Sequence, residues 1–119
     1  MSLTPLSALS PVDGRYASRC AELRELFSES GLIRARVRVE IAWLHALAGP
    51  SGLPEMQGLT AADLAAADRV AARFDAADAA EVKTIERETN HDVKAVEYFI
   101  KRRLETQPGW RSRLEFVHF

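Results

Sequence analysis

The chain has 119 residues, with 16 Lys and Arg against 17 Asp and Glu, and a formal net charge of −1. So balanced a charge supplies no field that would draw it to nucleic acid or to an anionic membrane surface, and the length suits one domain with a single core. Apolar residues make up 47% and alanine is prominent among them, a composition that favours helix, so the expected class is all-α.

Residues 1–16 contain Pro5, Pro11 and Gly14 without a sustained period and read as an extended arm and loop. They lack the basic start and unbroken apolar run of a secretory signal, and nowhere does the chain approach eighteen consecutive apolar residues. From Ala17, Cys20, Leu23 and Phe27 recur at helical steps with Arg19, Glu22, Arg24 and Glu25 between them, which predicts an amphipathic helix ended by Ser30 and Gly31. Cys20 is the only cysteine, so it has no partner for an internal disulfide, and no Cys and His cluster has the spacing of a structural zinc site. A reducing cytoplasm is the compartment these features lead us to expect.

Residues 32–48 include "RVRVE", whose alternation would suit a strand, but Ile33, Val37, Ile41, Leu44 and Ala48 share one helical face and the run is too long for an ordinary strand. A helix is predicted. Three glycines and two prolines break residues 49–59. Thr60 and Asp63 then form a capping-box pattern opening a helix that should bury Leu64, Ala67, Ala71 and Phe74. A short helix over 78–88 follows, then one from 90 to about 105, with Val93, Val96, Ile100 and Leu104 on one face and Glu97 placed to pair with Lys101. Pro108 and Gly109 stop it. The tail "RSRLEFVHF" opens another apolar segment and runs out at Phe119 without cap or polar tail, as a truncated chain would.

Four polar groups, Thr89 to Asp92, stand where the last long helix begins. Thr89 or Asn90 is expected to be its N-cap, and Asp92 suits the positive end of the helix dipole. His91 does not fit a capping role so readily, since a positive charge there is unfavourable. A neutral imidazole at a helix end with free amides is instead suited to hydrogen-bonding an anionic substrate. Arg15, in "DGRY", either pairs with a surface carboxylate or offers its fork to phosphate or carboxylate with Tyr16 alongside. Trp43 and Trp110 read as core or interface aromatics, and His45 and His118 as ordinary polar positions. No nucleophile elbow, phosphate-cradling glycine loop, metal-ligand cluster or paired carboxylate site can be assembled, so a complete catalytic centre is not expected.

"LSPVDGRY" at 9–16, "KTIERETNHDVKAVEYFIKRRL" at 83–104 and "EFVHF" at 115–119 together resemble adenylosuccinate lyase in its bacterial form, a family of the fumarase/aspartase superfamily. Of the superfamily's members, which include fumarase, aspartase and argininosuccinate lyase, the combination of the first two motifs points to the purine enzyme. The resemblance implies a mostly helical homotetramer of three domains per subunit, acting in AMP biosynthesis, with residues 1–119 as the N-terminal domain before a central helical bundle. It implies cleavage of adenylosuccinate to AMP and fumarate, and of SAICAR to AICAR and fumarate, by β-elimination without metal or organic cofactor. Carried over position by position, Arg15 and Tyr16 match the nucleotide-contacting pair, and Asn90, His91 and Asp92 the substrate-contacting segment, with His91 as an accessory to catalysis. The family's base, a serine, and its usual acid, a histidine, would lie beyond this sequence, so the chain alone is expected to be inactive. The alternatives are a non-catalytic helical interaction module derived from the superfamily, or another of its lyases.

Overall fold

The helices form where the sequence alternates charged and apolar residues at helical spacing, and the computed structural model describes them over residues 2–118. They are α1 (Ala21–Phe27), α2 (Glu29–Ala48), α3 (Ala61–Ala72), α4 (Ala76–Thr89), α5 (Asp92–Leu104) and α6 (Pro108–Arg111), with single 3₁₀ turns at Pro11–Asp13, Ala17–Cys20, Pro54–Met56 and Leu114–Phe116. The chain is all-α, as expected: no strand occurs among the described residues, and "RVRVE" lies inside α2 with Val37 buried and Val39 exposed. No helix among these residues is long and apolar enough to cross a membrane. Phe119, the end of the tail motif, lies outside the described residues.

Two compact units are present, residues 1–32 and 33–119, with the division falling inside α2. In the first, the helix expected from Ala17 begins as a 3₁₀ turn and becomes α-helical only at Ala21. It ends at Phe27, and Ser30 and Gly31 lie within α2 instead of closing α1. Ser28 explains the shift. Its extended backbone breaks α1 while its side-chain hydroxyl accepts from the Gly31 amide in the first turn of α2. The expected apolar face of α1 is not buried within the unit, since Cys20 is only half-buried, Leu23 is exposed and Phe27 is 81% exposed.

The second unit holds the core. Ile33, Val37, Ile41 and Leu44 of α2 are buried together with Ala79, Val82 and Ile85 of α4 and Ala95, Val96, Phe99, Ile100 and Leu104 of α5. Phe74 meets Phe99 edge to face, with centroids 5.6 Å apart, an arrangement aromatic quadrupoles favour. Of the two tryptophans, Trp110 is fully buried and Trp43 is 47% exposed.

Asp63 joins the start of α3 to the segment after α5. The capping box with Thr60 forms as the sequence predicts. The same carboxylate also accepts from the Gln107 amide at 2.9 Å and the Gly109 N–H at 3.2 Å, while the Asp63 carbonyl accepts the Trp110 indole N–H at 2.7 Å. Gly109 is required by this approach, because a Cβ there would fall on the Asp63 carboxylate. The hydrogen bonds, that of Gln107 foremost, hold the Asp63 carboxyl down to about 2. Their stabilisation is therefore complete above about pH 4 and lost as the pH falls through 2.

Spacing predicts a Glu97–Lys101 pair, but Glu97 is buried and pairs with Lys94 at 2.7 Å and with His118 at 3.2 Å. The Lys101 ammonium lies over the Tyr98 ring, 5.5 Å from its centroid. Glu40 of α2 is fully buried near Glu97, and neither of its carboxyl oxygens has a hydrogen-bond partner among the described residues. Burial first, and Glu97 second, push its carboxyl up to about 7, against the opposing charge of Lys101. Between its ordinary value of 4.5 and 7 the folded chain keeps a proton that the unfolded chain has released, so stability falls as the pH rises through this interval. Glu40→Gln should abolish that fall and stabilise the chain at pH 8 by roughly 2–3 kcal/mol while changing it little at pH 4. Urea unfolding of both proteins at the two pH values checks this, and parallel pH profiles would refute it.

Candidate functional site

The polar residues at 89–92 form the junction between α4 and α5, and two caps meet there. Asn90 closes α4 in the left-handed conformation, at φ 52° and ψ 35°, with its N–H bonded to the Glu86 carbonyl at 2.7 Å. It is the only non-glycine residue with positive φ among those described. Asparagine enters this region at low cost, which explains the residue type.

His91, rather than Thr89 or Asn90, is the N-cap of α5. Its backbone is extended, and its Nδ1 accepts the Lys94 amide hydrogen at 3.1 Å. The expectation of a threonine or asparagine cap fails because the left-handed turn assigns Asn90 to the preceding helix and moves the start of α5 one residue on. Thr89 supports the cap from the other side. Its hydroxyl donates to the His91 carbonyl at 3.1 Å and accepts the His91 N–H at 3.3 Å.

This arrangement also sets the chemistry of the imidazole. An accepting Nδ1 carries no proton, so in the neutral ring the proton resides on Nε2, which the capping bond leaves free to donate. The side chain is 60% exposed. Asp92, next in the chain, accepts the Val93 N–H at 2.8 Å with one oxygen and the Arg36 guanidinium at 2.9 Å with the other. These contacts, that of Val93 first, hold its carboxyl below the usual carboxylate range. Arg36 pins the start of α5 to α2, a partnership across 56 positions that no local pattern in the sequence announces.

Arg15 and Tyr16 belong to the first unit. The Arg15 guanidinium lies 4.9 Å from the centroid of the Tyr16 ring, and Asp13 pairs with Arg24 at 3.1 Å. Stacking on the phenol restrains the arginine while leaving its hydrogen-bond donors in the plane of the fork. Arg15 also lines an open cleft of about 430 Å³ with Pro5, Ala8 and Pro11. Gly14 makes the loop possible, since a Cβ there would stand 2.8 Å from the Pro5 carbonyl oxygen. Among the described residues, no group of three or more His, Cys, Asp or Glu side chains is placed to hold a metal ion.

Fold and junction thus define an all-helical chain that presents a histidine-capped helix start, with the histidine's Nε2 not used by the cap. Comparison with known proteins ties it to one enzyme name. No family model matches the chain. Over all 119 residues it is 47% identical to the adenylosuccinate lyase of Escherichia coli (strain K12), 48% to that of Vibrio cholerae and 46% to that of Haemophilus influenzae (strain Rd). The whole chain is covered in each case, and it spans 26% of the relatives' length. The similarity suggested by the motifs at 9–16 and 83–104 therefore extends from end to end, and it is to the N-terminal part of adenylosuccinate lyases.

The left-handed turn predicts a sharp dependence on side chain at position 90. Asn90→Gly should leave stability unchanged within about 0.5 kcal/mol, whereas Asn90→Val should cost about 1–2 kcal/mol because a β-branched residue is strained at positive φ. Denaturant midpoints of the two variants measure the difference, and equal midpoints would refute the assignment.

Proposed function

We propose that the chain is the substrate-binding N-terminal part of an adenylosuccinate lyase. In this reading the full-length protein cleaves adenylosuccinate to AMP and fumarate, and SAICAR to AICAR and fumarate. The similarity to proteins of that name supports the reaction. The observation that carries the site is the His91 cap, which fixes the ring through Nδ1 and leaves Nε2–H as a donor at an exposed helix start.

The reaction is a β-elimination. A base removes a proton from the carbon beside a carboxylate of the succinyl group, the C–N bond breaks to leave fumarate, and an acid protonates the departing nitrogen. The residues of this chain serve that sequence by binding and orientation. Arg15, stacked on Tyr16, holds an anionic group of the nucleotide in two-point geometry. His91 Nε2–H hydrogen-bonds the substrate near the reacting centre, with Asn90 and Asp92 completing the contact segment. The capped helix start is itself favourable to negative charge. The base and the principal acid come from outside these 119 residues, in a cytoplasmic homotetramer whose composite sites need no metal or organic cofactor. The 119-residue chain alone therefore forms no fumarate, and turnover by a preparation free of other lyases would overturn the proposal.

Two substitutions in a chain extended to the relatives' length test the assigned roles. Arg15→Ala should weaken substrate binding by about 1.5–3 kcal/mol, the value of a charge-assisted hydrogen bond, read as a raised KM. His91→Asn keeps a good N-cap and removes the imidazole, so thermal stability should hold while kcat/KM falls at least tenfold. A loss of stability matching the loss of activity would instead make His91 purely a capping residue.

A further inference from the structure

The second unit contains a cleft that the lyase reading does not use. It has a volume of about 400 Å³ and is lined by Arg69 and Arg73 from the C-terminal end of α3, Arg103 of α5 and Thr106, with Val70 on its apolar side and Asp78 of α4 at its edge. It lies near the far end of α5 from His91, and the 13 residues of that helix span roughly 20 Å at 1.5 Å per residue.

The charges in the cleft are not balanced. Arg103 is occupied, its guanidinium bonded to Asp78 at 2.9 Å and to Glu81 at 2.6 Å. Arg69 and Arg73 engage no carboxylate among the described residues, although both line the same concavity. Cations in the last turn of α3 complement its dipole, which accounts for one arginine near the helix end but not for two unpaired forks converging on a hollow. The volume lies in the range of small-molecule sites.

We propose that this cleft binds the phosphoryl group of a small phosphorylated metabolite, with Arg69 and Arg73 holding its oxygens and the Thr106 hydroxyl donating to a third. Guanidinium groups from α3 and a hydroxyl from beyond α5 approach from different elements, which suits a tetrahedral oxyanion better than a planar carboxylate. The apolar side at Val70 accepts an organic body attached to the phosphate. Asp78 is kept from repelling the anion by its bond to Arg103.

The experiment is a titration of the 119-residue chain with phenyl phosphate, inorganic phosphate and succinate at constant ionic strength, followed by ¹H–¹⁵N NMR including the arginine Nε–H signals. Saturable shifts are expected at Arg69, Arg73 and the Thr106 amide, with phenyl phosphate the tightest ligand and succinate at least tenfold weaker. Both arginines are exposed, so the R69Q/R73Q protein should fold normally and bind at least tenfold more weakly. Arg69→Lys with Arg73→Lys, which keeps the charge without the fork, should fall between. Linear shifts without saturation, equal binding of succinate, or full affinity in R69Q/R73Q would each overturn the proposal. None of these outcomes bears on the lyase reading, whose residues are elsewhere.

Discussion

The arrangement of the second unit rests on a reversal made by one residue. Asn90 in the left-handed conformation ends α4 and lets α5 begin two residues later, so the two longest apolar faces after α2 meet with almost no connecting loop. Val82 and Ile85 on one side and Val96, Phe99 and Ile100 on the other are buried as a result. The same reversal leaves His91 extended, which is the backbone an N-cap needs. Core formation and presentation of the imidazole are thus two consequences of a single dihedral choice.

Around that junction the structure spends polar groups unevenly. Asp63 has a full set of donors and binds α3 to the segment after α5, whereas Glu40 is buried with none among the described residues. A satisfied buried carboxylate rigidifies, and an unsatisfied one costs stability when ionised. The two residues give the chain opposite sensitivities at the acid and the neutral ends of the pH scale. Arg36 and Asp92 form the third connection, holding the start of α5 to α2, and through it the polar junction is anchored to a helix distant in sequence.

Much of the helical pattern was legible because it is local. The Thr60 and Asp63 box is present, the face of α2 from Ile33 to Leu44 is buried, and the glycine and proline cluster at 49–59 separates α2 from α3. The errors also have local causes. Ser28 competes with Ser30 and Gly31 as the break and wins, because its hydroxyl caps the next helix. Residue preference puts the cap of α5 on Thr89 or Asn90, because it ranks histidine low and takes no account of the left-handed turn. Spacing matches Glu97 to Lys101, yet the buried carboxylate pairs with Lys94 and His118.

By itself the sequence determined the all-helical class, the approximate helices, and the motifs that link the chain to adenylosuccinate lyases, since periodicity, caps and contiguous motifs depend on neighbours along the chain. Tertiary structure alone decided which arginine holds Asp92, that Glu40 is buried with no hydrogen-bond partner among the described residues, and that Arg69, Arg73 and Arg103 share one cleft. Those facts depend on side chains brought together from separate helices, and the direction in which each polar atom points is set by packing, not by position in the chain.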